Sequence, residues 1–155
     1  MLQLPIGRQR WHGATWAFLA VGLLLFGGAC AGNKSGDVAQ VAAGKQLYLA
    51  NCAACHGQQG EGAPNWRAPG PDGRLLPPPH DSTGHTWHHG DGLLFRYVKD
   101  GGASLQIPAF VSGMPAFGQT LSDNEIKAVL LYLKTLWGPR EGAFQTQVSK
   151  QELSP

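Results

Sequence analysis

"NCAACHG", residues 51–57, holds Cys52, Cys55 and His56; the one other cysteine of the 155-residue chain is Cys30. Two cysteines three positions apart, followed directly by histidine, admit four chemistries. A structural zinc site wants four ligands, usually with a second Cys or His pair at a set spacing, and no further cysteine pair exists. A thioredoxin-like redox pair sits in a βαβ context, whereas "GQQGEGAPNW" after His56 carries no strand signal. A disulfide between Cys52 and Cys55 would close so short a loop that it constrains little of the unfolded chain.

The fourth chemistry uses every residue of the motif. In C-x-x-C-H both thiols form thioethers with the vinyl groups of a haem, and the adjacent histidine reaches the iron from the same turn. The spacing matters because two sulfurs and one imidazole must meet a single rigid macrocycle. On this reading the cofactor is one covalent haem c, with Cys52 and Cys55 attached to it and His56 on the iron.

The N-terminal segment agrees with that chemistry. Arg8 and Arg10 precede an uncharged, mostly apolar run from about Ala14 to Ala29, then small and polar residues. This is the layout of an export signal, and the run is short for a spanning helix, which needs about 20 apolar residues. Cys30 in "FGGAC" resembles a bacterial lipoprotein site, although Gly27 stands where a branched residue is usual. An A-x-A cleavage at Ala29–Ala31 and retention as a short anchor are the alternatives. The expectation is a protein on the periplasmic side, membrane-associated or soluble after cleavage. The formal charge of +2 comes from the two leader arginines, since the remainder balances at 10 basic and 10 acidic residues. Nothing in the charge argues for nucleic acid or an acidic substrate.

A six-coordinate iron needs a second axial ligand. Apart from Met1 the chain has one methionine, Met114, in "SGMPAFG". Between Gly113 and Pro115 it is poorly placed for a helix face, where a bland reading as a flexible gap-filler would put it. With Cys52-x-x-Cys55-His56 upstream and Met114-Pro115-Ala116-Phe117 downstream, the sequence resembles the class I c-type cytochromes. The resemblance implies an all-α cytochrome c fold: three to four short helices and Gly/Pro-rich loops around one covalent haem with His56 and Met114 as axial ligands. It also implies an electron carrier, not an enzyme, with redox proteins as donor and acceptor and a single copy as the working unit. An electron-entry subunit of a larger oxidoreductase and a metal sensor reading through a histidine-rich loop are the alternative functions.

The helices that such a fold needs are readable. "DVAQVAAGKQLYLANCAAC" carries Val38, Val41, Leu47 and Tyr48, and Gly44 costs about 1 kcal/mol of helix propensity relative to Ala. Close helix contact explains that glycine best, and the resemblance sets Gly44 and Tyr48 against Val129 and Tyr132. "LSDNEIKAVLLYLKTLWG" opens with Ser122 and Glu125 at capping-box spacing and continues with a stripe of Ile126, Val129, Leu130, Leu133 and Trp137. Gly138-Pro139 is expected to stop it. A third helix is expected from Asp91, as N-cap, to Gly101. The domain boundaries follow: a leader over 1–30, a linker over 31–37, the cytochrome domain over 38–139 and a polar tail over 140–155, with Phe144 and Val148 forming one turn at most.

Two further assignments rest on the resemblance. A proline after C-x-x-C-H gives its carbonyl to Nδ1–H of the ligand histidine, and Pro64 is the candidate; the alternative is a loop proline that only sets the turn. "HDSTGHTWHH", residues 80–89, holds four of the six histidines. It is expected near the haem propionates, with Trp87 and His85 as contacts and Arg74 as a possible third. His88 and His89 read more simply as the lead-in to the third helix. A second metal site there would lack a completing carboxylate or cysteine cluster beyond Asp81 and Asp91.

Overall fold

A computed structural model describes residues 34–153, save 107 and 109. These residues fall in one unit. The leader and Cys30 lie outside the described residues. Five helices are formed among them: α1 (Lys34–Asn51), α2 (Ala53–His56), α3 (Asp91–Asp100), α4 (Asp123–Lys134) and α5 (Pro139–Glu152). Short 3-10 turns add Thr86–His88 and Gly102–Leu105. The only strand-like pairings described are the isolated bridges Pro69–Leu75 and Leu75–Ser112. The described residues are all-α, as expected.

α1 and α4 pack on each other and carry the core. Tyr48, Ile126 and Val129 are fully buried there, with Leu130, Tyr132 and Leu133 beside them. The Tyr48 and Tyr132 rings meet at 5.3 Å. At Gly44 a Cβ would overlap the Ala128 carbonyl, and it would come within 3.1 Å of Val129 N. The glycine therefore permits backbone-to-backbone approach, the reason inferred from its propensity cost. α1 starts at Lys34, inside the expected linker, with Asp37 in its first turn, where a carboxylate suits the helix dipole. Only Cys52 separates α1 from α2, and Cys52 N still bonds Tyr48 O at 2.8 Å.

α4 opens with the anticipated capping box, in which Ser122 and Glu125 satisfy each other's backbone N–H groups. Its end differs from expectation. The helix stops at Lys134, so Trp137 lies beyond it, and Gly138-Pro139 begins α5, with Gly138 as N-cap and Pro139 in the first turn. Proline at that position loses no hydrogen bond and arrives with φ already helical.

The expected tail is thus a helix of 14 residues. Its sequence has a weak apolar stripe, and what orders it is tertiary. Gln145 is only 1% exposed, and its Nε2 donates to Asp91 Oδ1 at 2.6 Å and reaches His89 O at 3.3 Å. The Glu152 carboxylate accepts from Gly92 N at 2.9 Å and Leu93 N at 3.3 Å. Ser149 Oγ accepts from Asp91 N at 3.0 Å. Asp91 is therefore not the N-cap of α3; Gly90 is, and the free N–H groups of α3 are capped from α5. Asp91 instead turns its carboxylate to Gln145 and to Lys134 Nζ, 2.7 Å away. Gln145→Leu should cost about 1 kcal/mol by removing its bonds to Asp91 and His89 O, and Glu152→Ala about 1 kcal/mol as a lost cap. Denaturant unfolding measures both, and faster amide exchange at Gly92 and Leu93 should accompany Glu152→Ala.

Candidate cofactor site

A cavity of about 780 Å³ opens between α2, α3, α4 and the loops, within the range of roughly 300–1,000 Å³ usual for small-ligand sites. Cys52, Cys55 and His56 line it together with Met114. Leu93, Leu94, Val98, Phe110, Leu130 and Leu133 supply an apolar wall. The residues singled out as haem ligands therefore share one chamber, although they lie on distant parts of the chain.

Each is placed by local structure. Cys52 sits at the joint of α1 and α2, half-buried, whereas Cys55, in α2, is exposed at the open cavity. Burial pushes the Cys52 thiol up to about 11, and neighbouring Cys55 adds to it. His56 ends α2 and is buried. Its Nδ1 lies 3.0 Å from Pro78 O. A carbonyl only accepts, so Nδ1 carries the hydrogen and Nε2 keeps the lone pair a metal needs. Burial lowers the pKa of this ring and the Pro78 bond opposes it, which favours the neutral, ligand-competent form.

The carbonyl partner corrects the expectation of Pro64. After His56 the backbone takes positive φ at Gly57, Gly60 and Gly62 and doubles back. Gly62 N bonds His56 O, and Ala63 N bonds Pro77 O, both at 2.8 Å. The proline run 77–79 is thereby laid beside the imidazole, while Pro64 is left exposed. At Gly62 a Cβ would overlap Pro79 N and would crowd its Cδ at 2.8 Å.

The Met114 loop is pinned by backbone. Gly102 N donates to Met114 O at 3.1 Å, and Phe117 N donates to Val98 O at 3.0 Å. Ser112 Oγ accepts from Met114 N at 3.2 Å and lies 3.2 Å from Tyr97 Oη.

The histidine-rich loop divides. His80, His85, Thr86 and His89 line the cavity. Trp87 does not: the turn at Thr86–His88 sends it the other way, stacked on His88 at 3.7 Å and edge-on to Phe144 at 5.6 Å. The expected contact through Trp87 is thus replaced by packing on α5, and its Nε1 is buried without a protein partner. His85 lies flat on Trp66 at 5.0 Å, and Arg67 covers Trp66 at 4.2 Å. Arg67 and Arg74 are also on the cavity wall. His85 Nδ1 is buried and has no protein partner. Among the described residues no three His, Cys, Asp or Glu side chains gather to hold a metal ion.

Burial lowers the pKa values of His85 and His89, helped by neighbouring positive groups, with only Glu152 opposing at His89. Below about pH 6.5 the unfolded chain therefore takes up protons first. Stability should fall as pH drops through that range and level off once the folded rings titrate. Denaturant midpoints at pH 7.5 and 5.5 should differ in that sense, and the gap should shrink in a His85→Asn/His89→Asn variant. An undiminished gap would reject the assignment.

The donor set tests well against a haem. The chamber offers two thiols, an imidazole held in one tautomer, a lone thioether, a broad apolar wall, an unsatisfied buried ring nitrogen and two guanidinium groups. Packed helices that bring a C-x-x-C-H turn and a methionine loop to the wall of one such chamber define the c-type cytochromes. A family model, Cytochrome c, matches residues 41–137, and the chain belongs to that family. It is similar to the Cbb3-type cytochrome c oxidase subunit CcoP of Azospirillum sp. (strain B510), 36% identical over 108 residues, which are 68% of this chain and 32% of that one. The CcoP subunit of Azospirillum brasilense is 32% identical over 107 residues, covering 68% and 32% of the two chains. The FixP subunit of Azorhizobium caulinodans is 28% identical over 109 residues, covering 69% and 31%. The match thus spans about a third of the length of these relatives. No solved structure gives a significant match.

Proposed function

We propose that this chain carries electrons on one haem c, attached through Cys52 and Cys55 and ligated axially by His56 and Met114. The observation that carries the reading is the meeting of these four side chains in one apolar cavity. A bound haem c supplies one-electron chemistry by cycling between ferrous and ferric iron with its ligands unchanged. The protein's part is positional. Pro78 O holds the His56 tautomer. The Met114 thioether favours the ferrous state and so raises the potential, and the leucine-rich wall keeps water off the site, which acts in the same direction. His85, with Arg67 and Arg74, is suited to the haem carboxylates; Trp87 is not.

The chain would dock briefly, through a small interface, with a donor and an acceptor. Among the described residues no helix is long and apolar enough to cross a membrane. Lipidation at Cys30 or a retained leader would hold the domain on the periplasmic face and raise its effective concentration near membrane partners.

A reduced-minus-oxidised spectrum followed by acid-acetone extraction tests the core. Haem should stay with the polypeptide in the wild type and be extracted from a Cys52→Ala/Cys55→Ala variant. Extraction from the wild type would overturn covalent attachment. The likeness to oxidase subunits supports a second reading, a haem subunit of a larger oxidoreductase. Purification from native membranes separates the two: a stable complex supports the subunit, and free elution supports the carrier.

A further inference from the structure

His80 stands two residues beyond the carbonyl that holds His56. Its backbone N–H donates to Gly60 O at 2.6 Å, and its carbonyl accepts from Trp137 Nε1 at 2.8 Å. Its ring Nδ1 is 2.9 Å from Thr86 Oγ1. The Thr86 hydroxyl has Pro79 O as its acceptor at 3.5 Å, so its lone pair receives the Nδ1–H of His80. Main chain and ring are both fixed, and Tyr48 closes the ring edge at 6.1 Å. Held this way, the His80 ring stacks on His56 with centroids 4.2 Å apart and planes 27° apart.

A leucine would fill this space at lower desolvation cost, since an imidazole away from water needs a partner to be tolerated, and Thr86 is that partner. The bond from His56 Nδ1 to Pro78 fixes one atom of the ring. Rotation about its Cβ–Cγ bond is intrinsically broad, so one hydrogen bond leaves the plane free to tilt about the Nδ1···O line. A flat ring stacked on the face opposes that tilt. We propose that His80 is a positioning residue which, through its stacked ring and its Thr86 anchor, sets the plane of the His56 imidazole relative to the iron. This rests on His56 being the iron ligand. The segment Pro78–His80 then grips the ligand twice, by a carbonyl at its edge and an aromatic ring on its face. The orientation of the ligand plane governs its overlap with the iron orbitals, so the readout is the ferric low-spin signature.

The test uses the full haem-loaded chain in four forms: wild type, His80→Leu, His80→Phe and Thr86→Val. Electron paramagnetic resonance g-values and the spread of haem-methyl proton shifts report the ligand plane. The wild-type spectrum comes first. If it shows no histidine-ligated low-spin iron, the functional reading fails, and that outcome is distinct from any failure of the variants. Given such a signal, His80→Leu should shift the largest g-value and alter the methyl spread. His80→Phe, which keeps a stacked ring, should stay nearer the wild type. Thr86→Val, which frees the ring without removing it, should give a smaller shift in the direction of His80→Leu. Signatures that superimpose in all variants would overturn the proposal. So would equal shifts in His80→Leu and His80→Phe, or a changed midpoint potential with unchanged g-values, which would make the effect electrostatic. If His80→Leu yields no haem-loaded protein, Thr86→Val decides alone, with an unchanged signature counting against the proposal.

Discussion

Met114→Ala should lower the midpoint potential by about 0.2 V, a fraction of the roughly 0.8 V over which axial ligands tune haem proteins. It should also abolish the far-red sulfur-to-iron absorption band. The thioether is the ligand proposed to favour ferrous iron, and water or hydroxide in its place would favour ferric. The structure makes the experiment clean. The loop is held by Gly102 N on Met114 O, by Met114 N on Ser112 Oγ and by Phe117 N on Val98 O, and none of these bonds uses the Met114 side chain. Truncation should therefore remove the ligand without releasing the loop, and thermal unfolding should change far less than the potential. If potential and band both survive, Met114 is not the ligand.

Gly44→Ala should destabilise the domain by about 3 kcal/mol, the upper part of the range for forcing added volume into a packed core. The added carbon would strike the Ala128 carbonyl, and backbone cannot step aside as a side chain can. The whole α1–α4 contact must open instead, carrying Tyr48 away from Tyr132 and loosening Cys52 at the end of α1. Gly142→Ala is the matched control. It lies within α5 with nothing inside 4 Å of the new carbon, so the change should be neutral or stabilising by up to about 1 kcal/mol. Urea or guanidinium unfolding of the two variants beside the wild type measures the contrast. Equal stabilities would mean that helix propensity, not helix approach, explains Gly44.

What was legible in the sequence was encoded over short spans or by rare residues. The C-x-x-C-H turn, the Ser122–Glu125 box and the lone internal methionine each declare themselves within a few positions, and a glycine in mid-helix points to a close neighbour. The choice between Pro64 and Pro78 was not local. It depends on three left-handed glycines reversing the chain, so that the proline further along the sequence arrives at His56. α5 was missed because its stripe is weak and its order comes from Gln145, Ser149 and Glu152 reaching residues 54–60 positions away. No pattern within the helix reveals those partners. Trp87 was misplaced because one tight turn decides which of two adjacent residues faces the cavity. His80 was read only as one of a cluster, and its contact with His56 depends on the same chain reversal.

The unequal settings of the two cysteines bear on timing. Thiolate, not thiol, is the reactive form, and in the folded domain Cys52 is half-buried with its thiol pushed up to about 11. A chain that folded first would present Cys55 more readily than Cys52. If both sulfurs take the haem, as proposed, covalent loading would compete with folding at Cys52 more than at Cys55. Sequence changes that hasten folding would be expected to raise the yield of half-attached protein even as they make the finished domain more stable.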